Sequence, residues 1–219
     1  MTMRHAIFAL ACLAIGTTAM AQAAKPAATP SVIPAAVELT GPARTQALAL
    51  ASAALNQSRA VQGKFLQIAP SGAATQGTFY LQRPGKLRFE YDAPAQMTIV
   101  SDGSQVSVQD RALKTDERYP LRATPLNFVL KKNVSLETDG KITKVIAQGG
   151  ILAITVRDRT GQADGAITMY FDQASKELRQ WRVIDGSGAI TQVSLTGVRS
   201  VASLDSKLFF LKPPPTRRR

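Results

Sequence analysis

Cysteine and histidine are almost missing from this sequence: Cys12 and His5 are its only ones in 219 residues. From residue 24 onward there is neither thiol nor imidazole. That excludes, for this part of the chain, a Ser-His-Asp triad, a cysteine nucleophile, a disulfide and an imidazole-bound metal. Acid–base chemistry would have to rest on carboxylates, lysine or tyrosine. The 15 Asp and Glu are scattered, mostly at turns or alternating with basic residues, which argues against a typical hydrolase. Carboxylate-only enzymes exist, so an enzyme stays open as a third reading. Long apolar runs are missing too: none reaches the roughly 20 residues of a membrane-spanning helix. Negative charge is scarce, since 27 Lys and Arg leave a net charge of +12.

The first segment carries Arg4, then the apolar run Ala6–Ile15, then small residues leading to Ala21-Gln22-Ala23. This is the layout of a secretory signal peptide over residues 1–23, cleaved after Ala21 or Ala23. Leu10-Ala11-Cys12 also reads as a lipoprotein attachment site, but only six apolar residues precede the cysteine. Cleavage removes Arg4 and no acid, leaving +11. An exported chain with that excess meets anionic lipid headgroups or an acidic partner surface rather than nucleic acid. The expected location is the periplasm.

Residues 24–43 are rich in Ala and Pro and read as a linker. Leu48, Ala51 and Leu55 then recur at helical spacing, predicting an amphipathic helix over 43–59. From Val61 the texture becomes that of strands: 61–68, 75–83, 86–92, 97–101, 105–110, 112–119, 142–148, 151–158, 165–172, 178–185 and 189–199. Pro84-Gly85, Asp102-Gly103, Gly149-Gly150, Thr160-Gly161 and Asp185-Gly186 punctuate them as turns. About eleven antiparallel strands follow, curled strongly or closed into a barrel. Thr124-Pro125 interrupts them with an N-cap and a proline at the first helical position. A short helix is predicted there, with Leu126, Val129 and Leu130 on one face and Lys131-Lys132 at the C-terminal end of its dipole. Residues 208–211 read as a last buried extended piece, and 215–219 as a basic tail ending in Arg217-Arg218-Arg219.

Alternation assigns the faces. Leu87, Phe89 and Tyr91 point one way, and Lys86, Arg88 and Glu90 the other. Phe79 with Leu81, Met97 with Ile99, Ile154 with Val156, and Met169 with Phe171 repeat the pattern. One face is therefore apolar and concave, the other polar and basic. Two helices are little cover for eleven strands, and such a sheet tends to leave either a ligand cavity or a plugged barrel.

The stretch GTFYLQRPGKLRFEYDAPAQMTIVSDGSQVSVQD, residues 77–110, resembles the signature region of the outer-membrane lipoprotein carrier (LolA) family. Its order is an aromatic strand, Arg-Pro-Gly, an alternating aromatic strand, a proline, and a strand ending in Asp-Gly. VQGKFLQ after the first helix, TPLNFVL after the sixth strand and LDSKLFFLKPP at the end are also similar, so the resemblance covers residues 44–214. It implies a mainly β fold, an open half-barrel with a helical lid, no cofactor and no catalytic residue. It implies a monomer that takes the acyl chains of lipoproteins from an inner-membrane ABC transporter to an outer-membrane receptor. The family's lid-latching arginine falls on Arg83. The aromatics of its next strand fall on Leu87 and Phe89, leucine standing where the family usually has a ring. The acyl-binding set is then Phe65, Phe79, Leu81, Leu87, Phe89 and Tyr91 on the early strands. Met97, Ile99, Ile154, Val156, Met169 and Phe171 on later strands join it, with Leu126, Val129 and Leu130 on the short helix. Two other roles remain open on this fold: the lipidated receptor of the same pathway, and a regulatory protein that senses lipoproteins.

Overall fold

The computed structural model describes residues 34–57, 59–159 and 164–211. The signal peptide with Cys12, residues 24–33 of the linker, the Thr160-Gly161 turn and the Arg217–Arg219 tail lie outside the described residues.

Within the described residues twelve strands form one antiparallel sheet: β1 Val37–Glu38, β2 Ala60–Ile68, β3 Ala74–Gln82, β4 Lys86–Tyr91, β5 Met97–Asp102, β6 Gln105–Asp110, β7 Thr115–Pro120, β8 Lys141–Gln148, β9 Ile151–Arg157, β10 Ala166–Asp172, β11 Leu178–Ile184 and β12 Ile190–Ser200. Their spatial order is β1-β8-β9-β10-β11-β12-β2-β3-β4-β5-β6-β7. Two meanders, β2–β7 and β8–β12, are thus joined by the pairing of β12 with β2, and the sheet stays open at β1 and β7. The sheet must curl. Between β11 and β4 lie four strand spacings, about 19 Å if flat, yet the rings of Trp181 and Phe89 are 6.1 Å apart.

Among the described residues three α-helices accompany the sheet: α1 Gly41–Gln57, α2 Leu126–Leu130 and α3 Leu136–Asp139. Ala47, Leu48, Ala51 and Leu55 are the buried residues of α1, the face that helical spacing predicts. The chain between β7 and β8 carries α2 and α3.

Several expectations need correction. A twelfth strand, β1, lies in the stretch read as linker and pairs Val37 with Ala147 and Glu38 with Ile146; two residues are too few to show alternation. α1 starts at Gly41, ahead of the expected Ala43. β7 starts at Thr115, not Ala112, because Asp110 accepts hydrogen bonds from the amides of Ala112 and Leu113 and makes a turn there. Residues 208–211 are not an extended piece. Ser206–Phe209 is a 3-10 turn with Asp205 capping Lys207, Phe209 is buried, and Phe210 is 68% exposed. That turn packs on β4 and β5 from the outer side, where Arg88 donates to the Leu208 carbonyl at 3.1 Å and Lys86 lies over the Phe209 ring. The outer face is therefore partly covered. On β5 this makes Thr98 and Val100 more buried than the inward-facing Met97 and Ile99.

Candidate functional site

The lid begins with sequence-local causes. Pro125 sets the first turn of α2, and after five helical residues Lys131 takes an extended conformation that stops it. The predicted cap at Thr124 is not made: its hydroxyl donates back to the Leu121 carbonyl at 2.8 Å, closing a 3-10 turn over Leu121–Ala123 just ahead of the helix. Lys131 does not serve the end of its own helix either. It pairs with Asp139 of α3 at 2.8 Å, while the other oxygen of Asp139 accepts from the Ser135 amide. That carboxylate links the two short helices into one lid piece. Helix α3, and the burial of Phe128 and Leu136 (0% exposed), escaped the sequence reading; four residues carry no readable helical period.

Two sets of hydrogen bonds hold this piece down. On the side of β3 and β4, Arg83 Nε donates to the Val129 carbonyl at 3.0 Å. The neighbouring Gly85 amide donates to the Leu130 carbonyl at 2.7 Å. Gly85 is required here: its φ is +74°, and a Cβ would stand 2.5 Å from the Gly103 Cα. The buried Ser101 hydroxyl, donating to the Gly85 carbonyl at 2.7 Å, orients the turn. On the side of α1, Asn56 exchanges two bonds with the Val134 backbone, at 2.9 and 2.7 Å. Ser52 accepts from the Leu136 amide at 3.0 Å. Carbonyls at the end of a five-residue helix have no partners within it, and Arg83 and Gly85 supply them from another part of the chain.

Burial pushes the Arg83 guanidinium down to about 10, so it is still cationic at neutral pH. Burial likewise pushes the Tyr91 phenol up to about 12, against a smaller opposing effect of its bond to Gln67 at 2.7 Å. Tyr91 is neutral throughout the physiological range.

Under the lid lies a cavity of about 310 Å³. Of the residues named from sequence, Phe79, Leu81, Arg83, Leu87, Leu126, Val129 and Leu130 line it. The alternation did not reveal the rest of the apolar wall, which includes Val61 of β2, Trp181 of β11, Leu195 and Val198 of β12, and Ala54 and Leu55 of α1, nor its polar margin at Gln57, Ser200 and the turn residues Ser175, Lys176 and Glu177. The alternation of Val193 and Leu195 on β12 was the available signal, but nothing local said that β12 would stand beside β2. Phe171 lies instead in a second cavity of about 310 Å³, between α1 and strands β8–β10.

The remaining named residues line neither cavity. Phe65 packs edge-on against Phe89 at 4.6 Å and against Tyr91 at 5.0 Å, and Phe79 stacks on Phe89 at 5.9 Å. Ile154, Val156 and Met169 are completely buried in the same core. Met97 and Ile99 are half-buried at its margin. Among the described residues no three His, Cys, Asp or Glu lie close enough to hold a metal ion.

Residues 56–212 match the model of a protein family described as outer membrane lipoprotein carrier protein LolA. An outer-membrane lipoprotein carrier protein of Methylococcus capsulatus is 30% identical over 169 residues, 73% of this chain and 80% of the relative. One of Pseudomonas syringae pv. syringae is 29% identical over 200 residues, 84% of this chain and 89% of the relative. Among solved structures, a LolA superfamily protein of Nitrosomonas europaea aligns with a TM-score of 0.45 at 10% identity, over 76% of this chain and 96% of its own. The extent of the family match, together with the 30% relative, shows that this chain belongs to the outer membrane lipoprotein carrier protein LolA family.

Proposed function

We propose that the protein is a non-enzymatic periplasmic carrier that holds lipoprotein acyl chains in the apolar cavity and ferries them from the inner to the outer membrane. An inner-membrane ABC transporter loads it and an outer-membrane receptor unloads it. The observation that carries this reading is a cavity walled largely by apolar side chains, Phe79, Leu81, Leu87, Val129 and Trp181 among them, whose lid is tied to the rim by Arg83 and Gly85.

Burying an acyl chain is worth about 0.8 kcal/mol per methylene. A permanently open trough would hold a long chain too tightly to release it. Lid residues Leu126, Val129 and Leu130 bury their own apolar surface against the cavity when the lid is down. That burial, with the latch bonds, is lost on loading and offsets the gain from the lipid, so transfer can proceed in either direction. No group in the cavity needs to do covalent chemistry for this cycle.

The test is release of a lipoprotein from inner-membrane vesicles carrying the transporter, followed by native mass spectrometry of the soluble fraction. A one-to-one complex is expected. Lipoprotein that stays in the membrane despite folded protein would refute the reading. A diacylglycerol-modified Cys12 on the mature chain would move it to the receptor role.

A further inference from the structure

Gly63 stands inside β2, where a glycine weakens a strand and brings no side chain to the packing. Its backbone does not call for glycine, because its φ is not positive. What excludes a side chain is the approach of its neighbours. A Cβ at this position would stand 2.9 Å from the Phe79 Cε1, 2.9 Å from the Thr196 carbonyl oxygen and 3.2 Å from the Val198 Cα.

The register accounts for the first of these contacts. Gly63 and Phe79 are directly opposite on β2 and β3, so both address the inner face. The Phe79 ring lies over the bare Cα of Gly63, is 1% exposed, and lines the first cavity. That cavity ends at this level. Val61 of β2, Leu81 and Phe79 of β3 and Leu87 of β4 line it, but the inner-face residues beyond them, Phe65 and Phe89, do not.

The contacts differ in how they yield. Carbon atoms rest at about 3.5–4.0 Å from one another, so a methyl group at position 63 displaces the ring by roughly 0.6–1.1 Å. The Thr196 carbonyl has less far to move, since carbon–oxygen contacts reach about 3.3 Å. It also sits where β12 loses register with β2, beside Gly197 at a φ of +57°, so the ladder is already interrupted there. The sheet lies behind the ring, and the open side is the cavity.

We infer that Gly63 is a specificity-determining position: by carrying no side chain it lets the Phe79 ring lie down and sets the depth of the first cavity. This rests on the carrier reading and adds to it a limit on acyl length. A side chain at 63 raises the floor, and removing the ring at 79 lowers it.

The test uses the full mature chain and synthetic lipopeptides that share one peptide and carry one saturated chain, from octanoyl to stearoyl. Each methylene that enters strengthens binding about fourfold, until the chain meets Phe79 and the affinity levels off. In Gly63→Ala the plateau should come about one methylene earlier and lie about fourfold lower. Phe79→Leu should move it to a longer chain, and adding Phe79→Leu to Gly63→Ala should undo the shortening. If Gly63 serves only to admit the β12 backbone, Gly63→Ala weakens every probe alike and Phe79→Leu brings no relief; that result overturns the inference. So does an unmoved plateau in folded Gly63→Ala. Should Gly63→Ala fail to fold, Phe79→Leu alone decides, and a plateau it leaves in place is equally fatal. A wild type that binds without any plateau removes the depth limit and leaves the carrier reading standing. A wild type that binds no probe overturns the carrier reading itself.

Discussion

Replacing Arg83 by leucine perturbs the closed lid more than the open one. In the closed form Arg83 Nε bonds the Val129 carbonyl at 3.0 Å, a charge-assisted bond worth about 1.5–3 kcal/mol. Burial that lowers the guanidinium pKa to about 10 opposes this by an amount of similar order, so the arginine's net contribution is smaller than its bonds. What leucine cannot avoid is the orphaned carbonyl. Val129 is buried, and an unsatisfied acceptor there costs about 1–3 kcal/mol. Gly85 still holds Leu130, so the lid is loosened, not lost. The closed form is therefore destabilised relative to the loaded one by about 1–3 kcal/mol, a shift of roughly 5- to 150-fold toward the loaded state. The assay measures retention of a bound diacyl lipopeptide and its transfer to receptor-bearing liposomes. Arg83→Leu should load normally, retain cargo longer and transfer it more slowly by a factor in that range. Wild-type retention and transfer rates in a folded Arg83→Leu protein would refute the latch.

Other outcomes follow from the same contacts. Leu81→Glu, at a half-buried position on the cavity wall, should block acyl uptake while the protein stays folded, because an unpaired carboxylate in an apolar site is costly; uptake by the folded variant would place the chain elsewhere. Phe89→Glu should unfold the protein instead, since Phe89 packs against Phe65, Phe79 and Trp181, and calorimetry separates the two results. Asn56→Ala strips both partners from the Val134 backbone and should speed hydrogen exchange across residues 126–139, with about 1–3 kcal/mol of local stability lost; unchanged exchange there would exclude the clamp. Asp116 is held below the usual carboxylate range by its hydrogen bond from Arg118 and, less, by that from Ser107. Its stabilising effect is complete above the unfolded value of about 3.9 and is lost as pH falls through the lower folded one. The melting-temperature gap between wild type and Asp116→Asn should therefore narrow below about pH 4; a gap independent of pH would contradict the assignment.

Much of the fold is readable from period and turn chemistry. Lys86–Tyr91 alternates so regularly that its inner face could be assigned without coordinates, and β4 indeed buries Leu87, Phe89 and Tyr91. Asp102-Gly103 and Gly149-Gly150 mark hairpins because a positive φ is intrinsic to the turn and needs no distant partner. The Arg-Pro-Gly turn pointed to Arg83 by resemblance, not by local physics. Tertiary structure alone decided which apolar residues meet a void and which meet one another. Phe89 and Leu81 face the same way from adjacent strands, yet one is sealed in an aromatic cluster and the other borders the cavity. The pairing of β12 with β2, the Asn56 grip on Val134 across 78 residues, and the Gly85 amide on the lid join parts of the chain that share no periodicity. Alternation states which side of a strand is apolar. What covers that side depends on how far the sheet curls and where the connections cross it, and those are set by contacts between residues remote in sequence.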